Sequence, residues 1–154
     1  MSEPPTLVPE AARALERLLR RRRALSSVLL NIDMFDRWGP KEGEERDRNL
    51  AEGEAAQREH NEVTAALTKL ATELQKTDAA AVAAWATAHL DLLDRFITER
   101  LEDPSQDTAR YVAKEEHAGW QEVREGKRPF VDENCFYVSV DRDRHRAWFG
   151  ALDG

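Results

Sequence analysis

The chain has 154 residues, 41% of them hydrophobic and 34% charged, and a net charge of −7. Ordinary domains are about 45–50% apolar and about 25% charged, so the composition describes one domain with a modest core under a large solvated surface. The acidic balance opposes general affinity for phosphate backbones. No apolar stretch reaches the ~18 residues of a membrane span, and Met1-Ser2-Glu3-Pro4-Pro5 lacks the basic and apolar opening of an export signal.

In chain order, Pro9 and Glu10 make a favourable helix start, and Trp38-Gly39-Pro40 a stop. A first helix is therefore expected from Pro9 to Asp36, with Leu15, Leu18, Leu25, Leu29 and Ile32 as its apolar stripe and Arg22 inside that stripe. The charged segment Lys41 to Asn49 reads as a solvated loop. A second helix follows to Gln75, striped by Ala56, Val63, Leu67, Leu70 and Leu74, with Glu52 and Glu59 on the same line. Thr77 is expected to cap a third helix that Asp103-Pro104 ends. Its stripe is Val82, Ala86, Leu93, Phe96 and Ile97, with His89 and Arg100 among them. Asp107 is expected to cap a fourth helix carrying Tyr111, Val112, Trp120 and Val123, which stops at Gly126 with Pro129 beyond.

The tail reads differently. Five of the eleven aromatic residues fall in the last 25 positions, in an alternating pattern that predicts a β-hairpin folded back through Asp141 to Arg144. Tyr137, Arg146 and Trp148 share one face of it, residue types favoured at binding surfaces. A rival reading makes Asp141 to Leu152 a helix. The expected fold is thus α+β and predominantly α: one domain, residues 1–154, in which an antiparallel bundle of three to four long helices (9–128) carries a hairpin tail (129–154).

Stripe polarity suggests cross-helix pairs. Reflecting the chain about two tight turns brings Arg22 within a turn of Glu59, and Glu52 beside Arg100. Both pairs would fix helix register, and removal of Glu59 would be strongly destabilising if its arginine were buried. The run Arg20-Arg21-Arg22-Arg23 presents its guanidiniums in four directions around a helix, so only part of it can face one ligand. It reads as a solvated or paired face.

The catalytic patterns are sparse. Glu-x-x-His, the diiron spacing of helical bundles, is absent: Gln57, Ala86 and Lys114 stand three residues before His60, His89 and His117. No metal or other cofactor is expected. Cys135 and His145 would lie about 16 Å apart along the tail strands, too far to act together. Cys135 is the lone cysteine, which fits a reducing, cytoplasmic setting. Eighteen arginines against five lysines suggest a GC-rich bacterial origin.

One resemblance is present. Glu59-His60-Asn61-Glu62 and Asp91-Leu92-Leu93-Asp94 look similar to the paired carboxylate motifs of all-α nucleotide pyrophosphohydrolases, with Asp91 where that pattern has Glu. The resemblance covers eight residues. It implies a Mg²⁺-dependent hydrolase in which Glu59, Glu62 and Asp94 hold the metal. Helical geometry turns Asp91 away from the apolar stripe, and no other catalytic set converges. The favoured reading is a non-enzymatic, regulatory or inhibitory interaction protein, such as an immunity or antitoxin-like factor or a small subunit of an assembly. It would bind a basic protein partner through an acidic helical face and the aromatic tail, and self-association is a further expectation.

Overall fold

The computed structural model describes residues 9–100 and 103–131. Four α-helices account for most of them: α1 (Glu10–Trp38), α2 (Glu44–Thr77), α3 (Ala79–Arg100) and α4 (Asp107–Arg124), with a 3-10 turn at Pro104–Gln106 before α4. The α+β expectation is corrected to an all-α architecture, because there is no strand among the described residues. Pro129, Phe130 and Val131, taken as the start of the hairpin unit, are irregular chain, with Phe130 and Val131 packed back on the helices. The proposed strands themselves, with Cys135, Tyr137, His145, Arg146 and Trp148, lie outside the described residues.

Local chemistry explains the helix limits. Gly39 ends α1, its N–H bonded to the Phe35 carbonyl at 2.6 Å, while Lys41 Nζ donates to the open carbonyls of Asp36 and Arg37. That is a basic side chain satisfying a helix C-terminus. The Lys41 to Asn49 loop is shorter than the sequence pattern suggests, because α2 already begins at Glu44. Gly43 takes φ 109°, a left-handed value open to glycine. Glu44, Glu45 and Asp47 then occupy the first turn, where their charge complements the helix dipole.

The junction of α2 and α3 is a single residue. Asp78, and not Thr77, caps α3: its carboxylate accepts from the Ala81 N–H at 3.2 Å, while the Thr77 hydroxyl donates back to the Glu73 carbonyl inside α2. After α4, Gly126 has φ 78° and donates to Val123, and the Lys127 N–H reaches Glu122. These two bonds form a Schellman end, in agreement with the stop expected there.

Contacts across α1 and α2 keep a nearly constant residue sum: Arg21 with Glu59, Ser26 with His60, Asn49 with the Ile32 carbonyl, Arg46 with Asp36. The helices therefore run antiparallel. The same holds for α3 and α4, through Trp85 and His89 with Trp120 and Asp94 with His117. Contacts within each pair far outnumber those between pairs.

The pairs meet at one end, where Leu15 and Leu19 of α1, Leu67 and Ala71 of α2, Val82 and Trp85 of α3, and Trp120 and Val123 of α4 form the main core. Val131 closes it. A Cβ on Gly119 would stand 2.9 Å from a Val131 methyl, so only glycine lets the returning chain lie this close to α4. Gln75 donates to the Arg128 carbonyl at 2.8 Å, and the Arg22 guanidinium sits 5.5 Å above the Phe130 ring. Away from this junction the first pair continues alone: none of residues 26–55 is buried. This two-helix arm is the feature that positions the candidate site.

Candidate functional site

Two polar arrangements stand out, one buried and one exposed. At the junction, Glu16 is wholly buried on the stripe formed with Ala12, Leu15 and Leu19. Its Oε2 accepts from Trp85 Nε1 at 3.0 Å and lies 2.8 Å from His89 Nε2. A carboxylate oxygen only accepts, so the imidazole presents its Nε2–H to it. His89, 2% exposed, stacks on Trp120 with centroids 3.9 Å apart and planes 4° from parallel, while Trp85 meets Trp120 edge-on at 4.9 Å.

A buried carboxylate is costly unless hydrogen-bonded and paired. Here one oxygen receives two donors from α3, which fixes how α1 sits against α3. The group lies within the core and makes no opening to solvent through its described side chains. Its chemistry is that of a register lock.

The exposed arrangement is the arm. Polar contacts cross its seam: Ser26 Oγ and His60 Nε2 lie 3.1 Å apart at its base, Asn49 Nδ2 donates to the Ile32 carbonyl at 3.4 Å, and Arg46 is 2.6 Å from Asp36. On α1, Leu30, Met34 and Trp38 recur every four residues on the side turned away from α2. They are 59%, 52% and 83% exposed. Val28 and Leu50 are also exposed.

Between the helices runs a groove of about 330 Å³ with Leu29, Ile32 and Leu50 as apolar lining and Asp33, Asp36 and Glu54 as its carboxylates. Gly53 lies on its floor, where a Cβ would stand 3.2 Å from an Ile32 methyl. The segment 28–57 carries eight acidic and four basic side chains, a net −4 out of the chain's −7.

The residues singled out by sequence are distributed as follows. The guanidinium partner of Glu59 is Arg21, whose Nε and Nη2 donate to the carboxylate at 2.5 and 2.7 Å. Arg22, one residue further, meets Thr64. The Arg21–Glu59 pair is about half exposed, so it carries the modest weight of a surface pair and not that of a buried one. Glu52 is exposed on the arm, and the side chain of Arg100 lies outside the described residues.

Hydrogen bonding to Arg21 holds the Glu59 carboxyl below its ordinary range. A lowered folded-state value means the pair contributes above the unfolded carboxylate range and is lost as pH falls through the folded one. The stability difference between the native chain and Glu59→Gln is therefore expected at about pH 7 and should shrink at about pH 3. Urea midpoints measured at both values check it, and an undiminished difference at low pH would contradict the assignment.

The carboxylates of the hydrolase resemblance are not brought together. Glu59 is engaged by Arg21 on the first helix pair, Asp94 lies 3.0 Å from His117 on the second, and Glu62 and Asp91 are exposed. No group of three or more His, Cys, Asp or Glu side chains among the described residues is placed to hold a metal ion. No described helix is long and apolar enough to cross a membrane.

Sequence reasoning passed over Glu16 and Trp85. The signal for Glu16 was its place in the i, i+3, i+4, i+7 set of Ala12, Leu15, Glu16 and Leu19. Trp85 lies three residues after Val82 and four before His89, on the same face. No protein family, curated protein or solved structure matches the chain.

Proposed function

We propose that the protein works by binding a protein partner, and that the arm built by α1 and α2 is its recognition element. The observation that carries this reading is the contrast along α1. Its first half buries Ala12, Leu15 and Leu19 almost completely, while Leu30, Met34 and Trp38 in its second half stand in solvent on one face. Apolar side chains that recur at helical spacing and stand exposed, with no described element over them, mark an interaction surface. Trp and Met are also among the residues enriched at such surfaces.

The acidic arm supplies the second ingredient. Charge of one sign steers association with an oppositely charged partner and discourages others. A regulator, an inhibitor or a small subunit of an assembly would each use such an arm, and the partner's identity separates them.

Affinity purification of the tagged chain from its native host provides the test. A partner is expected to be retained by the native chain and lost with Met34→Glu/Trp38→Glu, a variant whose helicity and urea midpoint should be unchanged because both positions are exposed. Retention by both chains, or no retained protein at all, would remove the proposal.

A further inference from the structure

We infer that the groove between α1 and α2 on the arm receives a basic amphipathic helix of the partner protein. This rests on the arm being the recognition element and adds the chemistry of what it recognises. Groove residues on α1 run from Leu29 to Asp36 and on α2 from Asn49 to Gln57, a length of about 10–12 Å at 1.5 Å per residue. That is two helical turns. It suits an occupant that offers apolar anchors at i, i+3 or i+4, and i+7, the spacing by which a helix lies in a groove.

The side chains set the occupant's character. Leu29, Ile32 and Leu50 provide apolar contact, and the absence of a side chain at Gly53 lets the floor stay open beside Ile32. Asp33, Asp36 and Glu54 line the same groove, and among the described residues no cationic one does. Asp33 faces Arg37 and Asp36 faces Arg46, yet the arm keeps its net −4. A helix with leucine-like anchors flanked by Lys or Arg matches both features. A second copy of this arm would bring a further net −4 against the first, so a hetero-partner is the complementary occupant.

Two synthetic peptides of about 18 residues provide the probe, with leucines at i, i+3, i+4 and i+7 and either lysine or glutamate elsewhere. In fluorescence anisotropy the lysine peptide is expected to bind one-to-one and at least about tenfold more tightly than the glutamate peptide. Asp33→Lys/Glu54→Lys should invert that order. Glu73→Lys/Glu115→Lys makes the same change in net charge on exposed positions outside the groove and should leave it intact. Should the first double variant lose helicity, Asp33→Asn/Glu54→Gln replaces it, with a loss of about tenfold for the lysine peptide expected.

Equal binding of the two peptides, or equal losses in the groove and control variants, would overturn the inference. So would a dimer in light scattering that Leu50→Lys dissociates, because the groove would then belong to a second copy. If the peptides fail while Met34→Glu/Trp38→Glu still releases a copurifying partner, the groove assignment falls and the arm remains the interface.

Discussion

Replacing Glu16 with alanine is expected to lower the free energy of unfolding by about 3–5 kcal/mol, the combined cost of a core cavity and of buried donors left without an acceptor. The reason is local. Trp85 Nε1 and His89 Nε2 both donate to one oxygen of Glu16 inside the core, so both buried donors lose their acceptor, and the truncation also leaves a cavity. Glu16→Gln keeps the volume and an acceptor oxygen, so it should cost less, about 1–3 kcal/mol. Urea unfolding of the three chains decides the matter. A loss for Glu16→Ala no larger than for an exposed substitution would mean that the carboxylate does not hold α1 to α3.

Trp85→Ala should be of similar size, about 3–5 kcal/mol, because it removes a fully buried ring and one of the two donors to Glu16. Trp38→Ala, at the far end of the first pair and 83% exposed, should stay within about 0.5 kcal/mol. The same residue type thus has two very different weights, set by which end of the molecule it occupies. Glu16 and Trp85 share a hydrogen bond, so the double alanine variant should lose less than the sum of the single losses. Equal costs for the two tryptophans would contradict the division into a packed junction and an exposed arm.

Much of the helical framework was legible in the sequence. Glycine and proline punctuation marks the ends of α1 and α4, and three- and four-residue spacing identifies Leu15, Leu67, Val82 and Trp120 as core. The start of α2 was less legible, because Glu44, Glu45 and Asp47 read as a solvated loop by composition. They are in fact favourable first-turn residues once Gly43 supplies a left-handed turn. The α2–α3 junction shifted by one residue for a similar reason, since both Thr77 and Asp78 can cap and only one can remain helical.

The expected seam pair differed by one position. Arg21 and Arg22 are about 100° apart on the helix, yet a long arginine reaches across that arc, so register alone does not say which one meets Glu59. The Glu16 centre was harder still. Its partners lie 69 and 73 residues away, and local periodicity shows that Glu16 is inward without showing what satisfies it. The arm escaped notice because an apolar stripe predicts burial, and Leu29 and Ile32 continue such a stripe past the point where α3 and α4 stop covering it.

The interval without buried residues, 26–55, has a consequence for how this chain can change over time. Packing constraints on side-chain volume are strong up to Leu25 and resume at Ala56, while substitutions at exposed positions between them cost little stability. Helix-forming residues at the arm's surface can therefore be exchanged with the junction undisturbed. The molecule separates a packed junction from an arm surface whose side chains, Gly43 and Gly53 apart, can change with little cost to folding.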